Sequence, residues 1–250
     1  MAEAAVRRMP GDPPRADAAS RLELARGVLR GLEDRAAGVR PVAGPEADGR
    51  VLPVSGPLAR LLPAGGLRRG SAVSVLGGPG STSLLLALVA EASAEGAWVG
   101  VVGRPELGLV AASEAGVRLD RLALVPRPGR DLLAVTVALL DGMDVVAVAG
   151  GGVRAGDRQR LVARARQRGA VLVALGQWPG ADVELSCADA QWQGLGTGAG
   201  RLCARRLRVE LRGKGLGPGR GGRLLLPADG GGMGGAPEMV VPAPVAAVAG

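Results

Sequence analysis

The chain has 250 residues, 47% of them hydrophobic, and a formal net charge of +8, enough for one domain with a sizeable core and flanking tails. It contains no His, Phe, Tyr, Ile or Asn, and all of its 31 basic residues except Lys214 are Arg. The lack of His excludes Ser-His-Asp and Cys-His catalysis and imidazole metal ligands, and Cys187 and Cys203 are too few for a four-cysteine zinc site. No metal centre is expected.

Residues 1–18, rich in Ala, Pro and Arg, read as a disordered N-terminus. Residues 19–40 read as an amphipathic helix with Leu22, Leu24, Val28, Leu29 and Leu32 on its apolar side, ending near Gly38 and Pro41. Residues 41–55 form a Pro/Gly-rich linker, 56–227 the core, and 228–250 a disordered Gly/Ala/Pro/Val tail. Within the core, strands are expected at 73–76, 97–102, 122–125, 144–149 and 170–175, and helices at 84–94, 107–115, 131–140 and 157–167. Short, continuously apolar strands alternating with helices predict an α/β fold: a mainly parallel sheet with helices on both faces. From 181 onward the segments 181–188, 201–211 and 223–226 alternate or run apolar, which predicts antiparallel strands appended to that sheet. Met1–Met9 lacks a continuous apolar run and no stretch reaches the length of a membrane span. The chain therefore reads as cytoplasmic, with both cysteines reduced and buried.

Between the strand at 73–76 and the following helix the chain reads Gly77-Gly78-Pro79-Gly80-Ser81-Thr82-Ser83-Leu84. A phosphate-binding loop needs G-x-x-x-x-G-K-[ST], in which backbone N–H groups surround the phosphates, Lys neutralises them and a hydroxyl holds Mg²⁺. Counted from Gly77, those last three positions are Thr82, Ser83 and Leu84. What remains is a helix start with hydroxyls on Ser81, Thr82 and Ser83, able at most to hold an anion weakly.

Five phrases in order resemble the core of the RecA-like recombinases. Leu62–Gly70 resembles that family's L-G-x-G-G-L-x-x-G approach to its first core strand, and Glu95–Val102 its second strand. Ala115–Leu122 resembles its LGVDxDxL segment, Asp144–Ala149 its Walker B strand, and Val171–Gln177 the strand ending in a γ-phosphate-sensing Gln. The resemblance covers roughly residues 56 to 212 and implies a RecA-like P-loop core. The departures fall on the chemistry. Ala149 stands where the strand-end Asp would organise Mg²⁺, Asp144 lies at the wrong end, and Glu106, near the position of the water-activating Glu, has no metal or lysine to work with. The two loops that would hold DNA are reduced to Gly150–Gly156 and Gln177–Asp182.

A RecA-like core with a decayed loop and clipped DNA loops is similar to the ImuA / ImuA′ accessory proteins of bacterial mutagenesis cassettes. Gln191–Gly196, Gly200–Leu202 and Arg205–Leu207 resemble their C-terminal phrases. The resemblance implies a non-enzymatic adaptor in the DNA-damage response. It would have no cofactor and would act with a polymerase-like ImuB-type partner in error-prone translesion synthesis. The alternatives are a divergent ATPase, a basic DNA-binding module, or a cell-division regulator on the same scaffold.

The remaining residues carry two readings each. Gln177 is a relic sensor or a polar strand end. Residues 151–225 hold 14 basic against five acidic residues, so Arg158 and Arg164 on the helix and Arg205, Arg206, Arg208 and Arg212 beyond it form a solvated face or a nucleic-acid or partner surface. Trp178 and Trp192 are packing residues or partner anchors. The helix containing Leu22, Val28, Leu29 and Leu32 packs within the protein or docks on a partner.

Overall fold

The computed structural model describes residues 49–195, 200–213, 216, 220–226 and 234–235; the amphipathic helix of 19–40, the N-terminus and most of the tail lie outside these. Eleven strands and five helices alternate in the described chain. The strands are β1 (Val51–Leu52), β2 (Leu67–Arg68), β3 (Ala72–Val75), β4 (Val99–Val102), β5 (Leu122–Val125), β6 (Val145–Ala149), β7 (Val171–Leu175), β8 (Val183–Leu195), β9 (Gly200–Gly213), β10 (Arg220–Leu226) and β11 (Gly234–Gly235). The helices are α1 (Gly56–Leu61), α2 (Ser81–Ala94), α3 (Leu109–Glu114), α4 (Leu132–Gly142) and α5 (Ala155–Arg168).

One nine-stranded sheet runs in the order β11-β10-β9-β8-β3-β7-β6-β4-β5. The segment from β8 to β5 is parallel, and β8, β9, β10 and β11 pair antiparallel. This is the mainly parallel α/β sheet with appended antiparallel strands that the element order implied.

Every residue of β3, β4 and β7 is buried, because helices cover both faces of a parallel sheet. On one face Val73, Val75, Val99, Val101, Val145 and Val173 join Leu84, Leu85, Leu88 and Val89 of α2 in a single core. Each fully buried Leu or Val contributes about 1.5–3 kcal/mol. On the other face α4 approaches so closely that a Cβ on Gly100 would lie 2.8 Å from the Met143 sulfur. Gly169 ends α5 in the left-handed conformation at φ +67, which glycine adopts without a Cβ penalty.

The C-terminal strands alternate where the parallel ones do not. Leu207, Val209 and Leu211 of β9 are buried, while Arg206, Arg208 and Arg212 are exposed. Leu58 and Leu61 of α1 join the same core as Leu224 and Leu226 of β10.

Part of the stretch read as a linker is built into the fold. Val51 and Leu52 pair with Arg68 and Leu67 in a two-stranded ribbon, and Leu52 and Val54 are buried. Surrounding Pro and Gly hid a strand too short to show a period.

Candidate functional site

The glycine loop leaves the carboxyl end of β3 and enters α2, the position where open α/β sheets bind ligands. Gly78 and Gly80 have φ of +138 and +98, so the turn uses conformations that residues with a Cβ resist. Ser81 N–H donates to Gly78 O at 3.2 Å and Leu84 N–H to Gly80 O at 2.8 Å, so Ser81's amide is used inside the turn. Gly77 is exposed, and Ser81, Thr82 and Ser83 are half-buried. Leu84, at the position of the Mg²⁺-binding hydroxyl, is wholly buried and faces the core.

The protein's own groups pack against the C-terminal half of the loop. Arg104, just beyond β4, donates from Nη2 to Thr82 Oγ1 at 2.9 Å, and its Nε lies 2.8 Å from Glu106 Oε1. That Nε has no well-directed hydrogen bond, so the Glu106 contact is ionic rather than a hydrogen bond. From the other side, a Cβ on Gly80 would lie 2.6 Å from Leu207 Cδ2 and 3.6 Å from Cys187 Cβ. The antiparallel strands therefore cover Gly80, while Gly77, Gly78 and Pro79 stay exposed. Burial pushes the Cys187 thiol up to about 11, only partly offset by the Arg205 charge, so it is not a reactive thiolate at neutral pH.

The ends of the neighbouring strands complete this edge. Gly150 N–H donates to Leu175 O at 2.8 Å, and a Cβ on Gly150 would touch the Trp178 ring at 3.6 Å. Trp178 is 2% exposed with its Nε1–H unpartnered, and the Arg158 guanidinium stacks 5.4 Å above it. Gln177 is exposed at the end of β7; Gly176 bonds to Val75 O and accepts from Ser74 Oγ, each at 2.8 Å, tying that end to the glycine loop's strand. Gly77, Gly80, Ser81, Thr82, Ser83 and Gln177 therefore lie along one edge of the sheet, with Ala149. Asp144 is at the far end, where its carboxylate accepts from Trp98 N–H at 2.9 Å and pairs with Arg69 at 2.8 Å. A cleft of about 650 Å³, lined in part by Leu67, Arg69, Arg166 and Asp182, also opens at that far end.

The arginines separate into three environments. Arg164 grips Asp141 of α4 through two nitrogens, the longer contact at 2.7 Å, and Arg168 reaches the same carboxylate at 3.1 Å. Those hydrogen bonds, from Arg164 foremost, hold the Asp141 carboxyl below its ordinary range against some desolvation. Arg158 donates from Nε to Val153 O at 2.9 Å beneath Trp178, so Arg158 and Arg164 are both engaged inside the fold. Arg205 is the Cα partner of Trp192, and its guanidinium lies 5.0 Å over that ring. Arg206, Arg208 and Arg212 point to the opposite, exposed face of β9. Strand geometry thus splits a cluster that is contiguous in sequence.

Sequence reasoning missed Arg104 and Leu207. The signal for Arg104 was its place immediately after a buried strand, where strand ends converge. No local signal could have placed Leu207 over Gly80.

Among the described residues, no helix is long and apolar enough to cross a membrane and no group of three His, Cys, Asp or Glu could hold a metal ion. Residues 60–180 match the family described as MT3502 N-terminal domain. The crystal structure of the RadB recombinase is similar over 67% of this chain and 92% of its own, at 17% identity and a TM-score of 0.49. Rv3395c, an uncharacterized protein of Mycobacterium tuberculosis (strain ATCC 25618 / H37Rv), is 37% identical over 206 residues, which span 78% of this chain and 93% of the relative. With that identity over nearly the whole relative, the chain belongs to the family of Rv3395c.

Proposed function

We propose that this protein is a non-enzymatic, cytoplasmic RecA-like accessory factor of the ImuA / ImuA′ type, acting in the DNA-damage response and error-prone translesion synthesis. The observation that carries the reading is a glycine loop without its catalytic groups. Ser83 replaces the lysine, the Leu84 side chain is buried, Ala149 replaces the metal-organising Asp, and Arg104 ties Thr82 to Glu106. Phosphoryl transfer depends on charge stabilisation by lysine and metal, and Ser83 and Ala149, at the lysine and metal-organising positions, carry no charge. The fold is kept as a scaffold and no cofactor is needed.

An adaptor acts through its surfaces. Trp192 is 52% exposed and stacked by Arg205, the pairing of residue types that anchors protein interfaces. The helix of residues 19–40, with Leu22, Val28, Leu29 and Leu32, supplies an apolar stripe for a polymerase-like ImuB-type partner. The test is damage-induced mutation frequency in a strain lacking the gene, complemented by the wild type and by Trp192→Ala with Leu29→Asp. Loss of induced mutation in the deletion and failure of the double variant to restore it are expected. An unchanged mutation frequency in the deletion strain would sink the role.

A second reading, nucleotide binding without turnover, is favoured by one observation: Arg104 brings a cation to the start of α2. Equilibrium binding of a labelled ATP analogue to wild type and Arg104→Ala decides it. Binding that disappears in the variant supports this reading, and no binding by the wild type removes it.

A further inference from the structure

The nine-stranded sheet ends at β5, and that edge is open. β5 pairs with β4 alone, in the parallel register Val99↔Leu122 to Val102↔Val125, and no strand among the described residues lies on its other side. The carbonyl of Val125 accepts from Gly103 N–H at 2.9 Å, so Val125 and, two residues back, Ala123 turn their backbone groups toward β4. Alternate residues of a strand point their N–H and C=O groups to opposite edges, which directs those of Leu122 and Leu124 outward. Natural sheets guard such an edge with Lys, Pro, a bulge or an inward-pointing charge. The run Leu122-Ala123-Leu124-Val125 has none of these, and its side chains are half-buried where those of β3, β4 and β7 are buried.

The surface beside this edge is apolar. Three of the four large exposed apolar side chains among the described residues are here: Val110, 72% exposed, with Leu109 and Leu119. Leu119 begins the turn that feeds β5, and α3, which carries Leu109 and Val110, packs against that turn. The charges of residues 107–125 are Glu114, Arg118, Asp120 and Arg121, which sum to zero in a chain of net charge +8. Arg118 pairs with Asp120 at 2.8 Å, and Arg121 donates to Gly96 O at 3.1 Å with its guanidinium 5.0 Å over Trp98. A second copy of this basic chain can therefore approach here without repulsion.

A strand added to this edge sets side chains on both faces of the sheet, so it has to be apolar throughout, as β5 itself is. Antiparallel pairing about a two-fold axis at Ala123 places Leu122 of each copy opposite Leu124 of the other, the residues whose backbone groups face outward. Ala123 then meets its own counterpart at the axis, a non-hydrogen-bonded pair with Cα atoms about 4.5 Å apart, where a small side chain fits. The apolar run Met239-Val240-Val241 of the tail cannot take this place within one chain. Gly235 in β11 lies eight strand spacings from β5, about 38 Å, whereas the four residues from Gly235 to Met239 reach about 14 Å.

We propose that this protein forms a closed two-fold dimer through β5, in which the two sheets join edge to edge and each copy covers Leu109, Val110 and Leu119 of the other. A symmetric contact of this kind stops at two copies, whereas head-to-tail addition at the same edge grows into a ring or filament. The dimer stands apart from the cellular role proposed above and does not depend on it.

The test is sedimentation equilibrium of the full chain from about 1 to 100 µM, together with cross-linking at the axis. Wild type should be a dimer that dissociates on dilution. Ala123→Cys in a Cys203→Ser background should form a covalent dimer with oxidised glutathione, because a disulfide spans Cα separations of about 4.4–6.8 Å. Ala155→Cys, exposed at the start of α5, is the control and should stay uncrosslinked. Cys187 does not compete, since burial pushes its thiol up to about 11. Val110→Asp with Leu119→Asp changes two exposed side chains, so the fold should stay intact by circular dichroism while dimer affinity falls by more than about tenfold. A wild type still monomeric at about 100 µM would overturn the proposal, whether residues 1–48 or another protein takes the edge instead. So would a mass that climbs past two copies with concentration, a dimer that survives both aspartates, or one that Ala123→Cys traps no faster than Ala155→Cys.

Discussion

Alanine at two glycines of the same loop should give opposite outcomes. At Gly77 a Cβ meets nothing within 4 Å and the residue is exposed, so Gly77→Ala should change stability by less than about 0.5 kcal/mol. At Gly80 the backbone holds φ +98 and the new Cβ would lie 2.6 Å from Leu207 Cδ2, a side chain with no exposure. The backbone term is about 1–2 kcal/mol for a residue with a Cβ in left-handed space. Forcing Leu207 out of its packed rotamer adds about 1–3 kcal/mol of overpacking. The total, about 2–5 kcal/mol, corresponds to a fall in melting temperature of roughly 4–20 °C for a domain this size. Unfolding can be followed by the fluorescence of Trp98, Trp178 and Trp192 in urea or on heating. Leu207→Ala alone should cost about 2–5 kcal/mol by opening a cavity. In the double variant the alanine Cβ enters that cavity, so the combined loss should fall short of the sum by about 1–2 kcal/mol. Equal effects at Gly77 and Gly80, or strict additivity with Leu207→Ala, would refute the view that Gly80 is required by packing.

Purified protein should turn over no ATP above background with Mg²⁺, with or without single-stranded DNA, as measured by phosphate release; turnover that disappears in Ser83→Ala would contradict this. Trp178→Ala should cost about 3–5 kcal/mol in chemical denaturation, because the ring is 2% exposed. Trp178→Phe should cost much less, since it also removes the unpartnered Nε1–H; equal losses would show that the ring's bulk is not what matters. Asp141→Asn should cost about 1 kcal/mol at neutral pH by loosening the link from α4 to Arg164 and Arg168. Because the folded carboxyl is depressed, that contribution is present above its unfolded value near 3.8 and is lost as pH falls through the lower folded one. Wild type and variant should therefore converge in stability only below about pH 4, and convergence at pH 6 would count against the ion pair. Removing residues 1–40 should leave the core's melting temperature nearly unchanged and abolish co-purification of a polymerase-like partner; a truncated protein that is unfolded would show instead that this segment is part of the core.

The alternation of strands and helices was legible in the residue pattern, because a strand buried on both faces must be apolar throughout and a turn between such elements needs glycine. The sequence also showed which chemical groups are missing, since the identities of Ser83, Leu84 and Ala149 do not depend on folding. The ribbon at Val51–Leu52 was not legible, because two residues carry no period. What packs against the loop depends on the tertiary structure. Arg104 reaches Thr82 across 22 residues and Leu207 reaches Gly80 across more than a hundred, through sheet pairings that no local pattern encodes. It likewise decided which arginines belong together. Consecutive residues on a strand face opposite ways, so Arg205 and Arg206 part company, while hydrogen-bonded register brings Arg223 beside Arg208. Composition reports how much charge a chain has, and only the pairing of its strands sets where that charge is concentrated.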